Sequence, residues 1–246
     1  MLPVLFRIGS FEITSFGVLV ALGALAGLWV FRRELGRAGL PDAALDAAVY
    51  GLVGGLLGAK VLYVFEHLDE GSFFSLFLAR GGMSWFGGFV GGLLAGYATI
   101  RIRRWPMMAV LSAATPALAV GPMLGRVGCF LVGDDYGSPT SLPWGVAFPR
   151  GLPPTADRVH PTQLYEAIFL GAFAWLLIRW RRDGRDDRFV LGAYLVMAGM
   201  LRFLIEFVRV NERVVGALTV AHLASLAAVI AGAILVGPAF RRRSRS

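Results

Sequence analysis

The chain has 246 residues, of which 57% are hydrophobic and 16% charged, with a mean hydropathy of +0.66. A water-soluble domain is nearer half apolar and about one quarter charged, so the composition excludes an ordinary soluble globule and implies an integral membrane protein. The net charge of +8 would suit nucleic acid, but the arginines fall in short clusters between apolar segments, so membrane topology accounts for them and nucleic-acid binding is set aside.

A membrane-spanning helix needs about 20 mostly apolar residues. Seven segments meet this in chain order: Ile13–Phe31, Ala47–Phe65, Gly81–Ile100, Met107–Gly125, Thr162–Ile178, Phe189–Phe207 and Val214–Pro238. They predict an all-α integral membrane protein built as a single membrane domain over 1–246. Seven transmembrane helices are expected, with a polar insert at 126–161 between the fourth and fifth. Arg7 followed by Phe16–Gly27 imitates a cleavable signal peptide. The apolar run continues to Phe31 and meets Arg32-Arg33, which favours a retained helix.

The basic clusters set an orientation. Arg32, Arg33 and Arg37 follow the first span, Arg101, Arg103 and Arg104 the third, Arg179 to Arg188 the fifth, and Arg241 to Arg245 the seventh. The alternate loops hold more acids, among them Glu66, Asp69, Glu70, Asp134, Asp135 and Asp157. Cytoplasmic loops collect Lys and Arg. The N-terminus and the insert are therefore expected outside and the C-terminus inside, with the basic tail against anionic lipid headgroups.

Glycines recur four apart, at Gly23/Gly27, Gly51/Gly55, Gly54/Gly58, Gly87/Gly91, Gly88/Gly92 and Gly92/Gly96. Such pairs let membrane helices approach closely. Gly81 to Gly88, reading GGMSWFGG, stands at the start of the third span as a flexible mouth or a lipid-contacting lip. Pro116 and Pro122 predict a kinked or broken fourth span. The single cysteine, Cys129, permits no internal disulfide, and no His/Cys/Asp/Glu spacing resembles a metal site.

The insert and its borders concentrate polar groups where unpaired polarity is costly. Arg202, Glu206 and Arg209, spaced i, i+4, i+7, share one helix face, either as interfacial anchors or as a fork for phosphate. Arg126 adds a third cation. With one obvious buried carboxylate among them, an anionic headgroup is expected to balance the excess. His160-Pro161-Thr162-Gln163-Leu164-Tyr165-Glu166 opens the fifth span, with Pro161 in the first turn and Thr162 and Gln163 as caps. His160 and Glu166 serve either as structure or as acid–base groups. Asp134 and Asp135 read as loop residues ahead of Gly137 and Pro139.

With these motifs together, the chain resembles the bacterial prolipoprotein diacylglyceryl transferases over nearly its whole length. The resemblance rests on the GG-x-x-x-x-GG mouth, Gly125-Arg126-Val127-Gly128-Cys129-Phe130 with Gly133 and Gly137, the His160–Glu166 heptapeptide, and Arg202, Glu206 and Arg209. It implies a multi-pass enzyme of the bacterial inner (plasma) membrane that moves the diacylglyceryl group of phosphatidylglycerol to the lipobox cysteine of a preprolipoprotein signal peptide. Glycerol phosphate is released and no cofactor is expected. It implies catalytic roles for Arg126 and Arg202, to which the reading of the heptapeptide adds His160 and Glu166 as candidate acid–base groups. It implies substrate binding by Arg126, Arg202, Glu206, Arg209, Gly137, Gln163 and Tyr165, with other membrane lipids as surroundings. The alternative is a non-catalytic protein of the same fold that binds or transports anionic lipid. The sequence departs from the family pattern at Phe86, where many members carry His, at Phe16, where many carry Tyr, and at Cys129, where Asn is common. A direct transfer uses the substrate's own thiol, so Cys129 is expected to be dispensable.

Overall fold

The computed structural model describes residues 1–9, 11–79, 81–209 and 218–243. The start of the seventh expected span, Val214 to Ala217, and the end of the basic tail, Ser244 to Ser246, lie outside the described residues. Eight α-helices are described: α1 Ser15–Arg37, α2 Asp46–Glu66, α3 Phe73–Leu78, α4 Trp85–Ile102, α5 Met107–Val132, α6 Thr162–Arg182, α7 Asp187–Glu206 and α8 Val220–Arg243. Each of the seven expected spans is covered at least in part by one of them. Five segments are long and apolar enough to cross a membrane: α1, α2 with the 3-10 turn before it (Asp42–Glu66), α5, α7 and Val220–Gly237 of α8. The helices α4 and α6 are not among those five. Five glycines and Arg101 dilute α4, and α6 ends in Arg179, Arg181 and Arg182.

Two antiparallel hairpins are the β-sheets among the described residues, and the periodicity of the sequence did not announce them. Strands β1 (Val4–Ile8) and β2 (Phe11–Thr14) pair ahead of α1, and β3 (Val146–Phe148) pairs with β4 (Thr155–Val159) inside the insert. The fourth span, expected to kink or break at Pro116 and Pro122, is a continuous helix with both prolines inside it.

The chain divides into two compact units, residues 1–31 with 111–246, and residues 32–110. In the smaller unit, α2 and α4 cross at glycines. A β-carbon on Gly58 would lie 2.3 Å from the Gly87 carbonyl oxygen, and one on Gly91 would lie 2.4 Å from that of Gly54. No side chain fits there, so backbones meet directly and dispersion replaces the missing hydrophobic drive. Gly87 of the mouth belongs to this crossing, whereas a β-carbon on Gly81 would meet nothing within 4 Å. Gly82 has φ +71°, and a β-carbon on it would strike the Tyr63 ring. Lys60, a cation within the α2 segment, donates to the carbonyls of Ala79, Gly81 and Gly82 at 2.8, 2.6 and 3.3 Å. Its charge is thus met by backbone dipoles at the end of α3, as a cation in an apolar segment requires. Phe86, exposed near the start of α4, packs edge-on against Trp85.

In the larger unit, Ala119 of α5, Leu170, Ala174 and Leu177 of α6, and Val190, Leu201 and Ile205 of α7 form one buried apolar cluster. Gly23 of α1 meets α5 at the Gly121 carbonyl. Helices α7 and α8 approach at Gly192 and Gly232, each 2.5–2.6 Å in β-carbon terms from the other's carbonyl oxygen. This pair was not among the expected ones, because neither glycine has another four residues away on its own helix.

Candidate functional site: an arginine–carboxylate cluster at the ends of α5, α6 and α7

The site begins where α5 stops. Gly133 follows the last helical residue with φ +78°, and its N–H returns to the Cys129 carbonyl at 2.8 Å. Glycine suits this left-handed end, which satisfies an orphan helix carbonyl. A β-carbon here would also strike Met1, Phe148 and Gly151. Two residues later Asp135 is itself left-handed, with φ +58°. Asp tolerates this region better than most residues, though at some cost.

The loop is gripped by the start of α6. The Thr162 hydroxyl donates to the Asp135 carbonyl at 2.9 Å, and the Gln163 amide to the Asp134 carbonyl at 2.5 Å. Both side chains are fully buried. The expected cap residues therefore do bind orphan backbone groups, but those of the neighbouring loop rather than of their own helix. Gly137 is hemmed in: a β-carbon would lie 2.6 Å from the Val208 carbonyl oxygen and 2.9 Å from His160 and Thr162. Phe148 completes the anchoring, stacked on Tyr136 and edge-on to Phe130.

Three arginines converge on this loop and the adjoining helix ends. Arg126 Nη1 lies 2.8 Å from Asp135 Oδ2, and its Nε lies 2.7 Å from Glu166 Oε2. Arg209 Nη2 lies 2.6 Å from Asp135 Oδ1. Arg202 Nη2 lies 2.6 Å from Glu206 Oε2, and its buried Nη1 finds no acceptor among the described residues. The other Glu206 oxygen accepts from the Thr219 hydroxyl at 2.7 Å. Thr219 and His222 form a reciprocal cap at the start of α8: the Thr219 N–H meets His222 Nδ1 at 3.2 Å, and the His222 N–H meets the Thr219 hydroxyl at 3.4 Å. His222 sits between the rings of Phe203 and Phe207.

This geometry corrects the charge balance read from sequence. Three guanidiniums face three carboxylates, Asp135, Glu166 and Glu206, so the described cluster is formally neutral. Asp135 was read as a loop residue, yet it bridges two arginines from different chain segments. Its acidity reflects this: burial favours the neutral form, but Arg209 and Arg126 outweigh it and hold the carboxyl below its usual range. Asp134 moves the other way. Burial pushes its carboxyl up, against the hydrogen bond from the Cys129 thiol, and the neighbouring Asp135 charge adds to the rise. Cys129 itself is buried.

His160 and Tyr165 lie apart from the ion pairs. His160 is held by its backbone, donating to Ser138 and accepting from Gly137 at 3.0 and 2.9 Å. Its Nδ1 is 3.4 Å from the Tyr165 hydroxyl, which accepts from Trp144 Nε1 at 2.7 Å. These three side chains stand at one end of an apolar cleft of about 650 Å³ between α6 and α7, walled by residues such as Phe169, Phe173, Met200 and Leu204. Cleft and cluster alternate along the same helices: Tyr165 beside Glu166, Ile205 beside Glu206, Val208 beside Arg209. Trp144, Thr219 and Asp135 escaped the sequence reading. An acidic pair just after the GR-x-G motif, and the Thr219-x-x-His222 spacing, were the available signals.

Residues 3–237 match the family described as prolipoprotein diacylglyceryl transferase. The chain is 31% identical to a phosphatidylglycerol–prolipoprotein diacylglyceryl transferase of Clostridium tetani, covering 94% of this chain and 95% of the relative. It is 33% identical to proteins of the same name from Geobacter sulfurreducens (88% and 85% covered) and Methylobacillus flagellatus (98% and 97%). The chain belongs to the prolipoprotein diacylglyceryl transferase family.

Proposed function

We infer that the arginine cluster holds the phosphate of phosphatidylglycerol during the transfer that the family carries out. The chain is a transferase that moves the diacylglyceryl group of phosphatidylglycerol to a prolipoprotein. The non-catalytic lipid-binding alternative is set aside on the family match. In the reaction the lipobox thiolate sulfur bonds to the glyceryl carbon, the carbon–oxygen bond to phosphate breaks, and glycerol phosphate leaves with the electron pair. The thiol proton goes to a base or to solvent. Negative charge gathers on the leaving phosphate, and fixed guanidiniums in a poorly hydrated site stabilise it.

The observation that carries this reading is the joint aim of Arg126 and Arg209 at one bidentate anion, the Asp135 carboxylate. Two non-bridging phosphate oxygens present the same pattern to the same donors. The unpaired Arg202 Nη1 supplies a further donor. Glu166, ion-paired to Arg126, and Glu206, ion-paired to Arg202, act as positioning residues that aim their arginines. The apolar cleft beside the cluster suits the acyl chains, and His160 at its end is the proton acceptor nearest to hand in the absence of a mouth histidine. Gly137, Gln163 and Tyr165 shape the site: the first two hold the loop and the third lines the cleft.

The reading includes a bacterial plasma-membrane setting in which seven helices cross and the insert faces outward. The test of the site is turnover of a lipobox peptide with phosphatidylglycerol, followed by mass spectrometry of the thioether product. Arg126→Ala is expected to abolish transfer at matched protein levels. Arg126→Lys is expected to recover little, because a point charge cannot span Asp135 and Glu166 as a planar fork does. Near-normal turnover in Arg126→Ala would refute the site.

A further inference from the structure

We propose that Asp135 is an exchangeable anion: the lipid phosphodiester takes its place between Arg126 and Arg209, and its return drives out the glycerol phosphate product. The proposal rests on the reading of the cluster as the phosphate site. It answers a difficulty that the geometry raises. Among the described residues the cluster is already neutral, with Arg126, Arg202 and Arg209 each in an ion pair, so an arriving anion must either add charge or replace a carboxylate.

Only one of the three carboxylates is built to leave. The Glu166 and Glu206 side chains are 6% and 0% exposed, and a buried carboxylate moved away from its arginine leaves an uncompensated charge. The Asp135 side chain is 44% exposed and already borders water. Its backbone is also the strained one, left-handed at φ +58° in a five-residue loop bounded by Gly133 and Gly137. Release of the side chain frees this loop to relax, whereas Thr162 and Gln163 hold its backbone carbonyls and limit how far it travels. Arg209 and Arg126 keep the Asp135 carboxyl ionised, so the resident group is an anion of charge −1.

The charges make the exchange directional. A phosphodiester also carries one negative charge, so its entry in place of Asp135 leaves the cluster neutral. After the carbon–oxygen bond breaks, the leaving group is a phosphate monoester of charge about −1.5 to −2 at pH 7. The cluster is then over-neutralised, and return of the carboxylate as the dianion departs restores the balance. Asp135 thus weakens lipid binding and speeds product release.

The experiment compares the parent with Asp135→Asn and Asp135→Glu. It measures steady-state transfer, a single turnover, and binding of glycerol phosphate by thermal shift of the detergent-solubilised protein. Asp135→Asn is expected to bind glycerol phosphate about tenfold more tightly, to lower KM for phosphatidylglycerol, and to lower kcat. Single-turnover thioether formation should stay at least as fast, so that a burst precedes the steady state. Asp135→Glu should restore release. Unchanged or weaker glycerol phosphate binding in Asp135→Asn, or a loss of kcat without a burst, would overturn the exchange and leave Asp135 as a brace for the arginines. Should Asp135→Asn fail to fold, Asp135→Glu decides alone: a parent-like product affinity and kcat support exchange, and loss of either refutes it. Arg126→Ala separates the two readings. If it binds glycerol phosphate as the parent does, the cluster is not the phosphate site and the premise itself fails.

Discussion

At the scale of the residue, Asp134 and Asp135 show how neighbours acquire opposite electrostatics. Burial lifts the Asp134 carboxyl, whereas two guanidiniums hold that of Asp135 down. The consequences for stability have opposite signs. The unfolded value is about 3.9. Ionised Asp134 opposes folding at any pH above its raised folded value, and the penalty fades as pH falls from there towards about 3.9. Asp135 contributes stability in full above about 3.9 and loses it as pH falls through its depressed folded value. Asp134→Asn is therefore expected to raise the thermal midpoint at neutral pH and to lose that advantage in acid. Asp135→Asn is expected to lower the midpoint at neutral pH, with the deficit shrinking below about pH 3.9. Denaturation of both variants in detergent from pH 8 to pH 3 would show crossing trends, and parallel pH curves for parent and variants would contradict the assignment.

At the scale of the element, helix contacts are governed by glycine. In α7 and α8 the Gly192 and Gly232 backbones touch so closely that a β-carbon on either has no room. Gly192→Val is expected to force the helices apart and destabilise the larger unit by about 1–3 kcal/mol or more. Gly36 in α1 is the contrast, since a β-carbon there meets nothing within 4 Å. Gly36→Ala is expected to be neutral or stabilising by up to about 1 kcal/mol, through helix propensity and a less flexible unfolded chain. Thermal unfolding of the two variants side by side tests the assignment, and equal midpoints would reject it. The caps act at the same scale: Thr162 and Gln163 at the start of α6 hold the Asp134–Asp135 backbone, and Thr219 at the start of α8 holds Glu206. Helix ends, rather than helix faces, assemble the cluster.

At the scale of the whole molecule, the distribution of arginine predicts orientation. The turn between α6 and α7 lies among Arg179, Arg181, Arg182, Arg185 and Arg188, whereas the insert carries Asp134, Asp135 and Asp157. Positive loops stay in the cytoplasm. In a Cys129→Ser background, a cysteine at Asp157 is expected to react with a membrane-impermeant reagent added to intact cells, and a cysteine at Asp183 only after lysis. The reverse pattern would invert the topology. In the expected orientation the arginine cluster would lie on the outer side and the basic turns would meet the cytoplasmic headgroups.

The sequence by itself determined the membrane class, the approximate places of the helices, the small-residue stripes that let helices approach closely, and Arg126, Arg202 and Arg209 as the cations of interest. Each of these follows from local information: apolar run length, small residues four apart, and charges at helical spacing. Tertiary structure decided what those cations face. Asp135 lies nine residues beyond Arg126 and 74 before Arg209, and no local pattern relates it to both. Its left-handed backbone, the two caps from α6 and the end of α5 at Gly133 together turn its carboxylate into the gap. The same holds for Thr219, which reaches Glu206 only because α7 and α8 pack at their glycines. An ion pair acts over a few ångströms of space, whatever the separation along the chain.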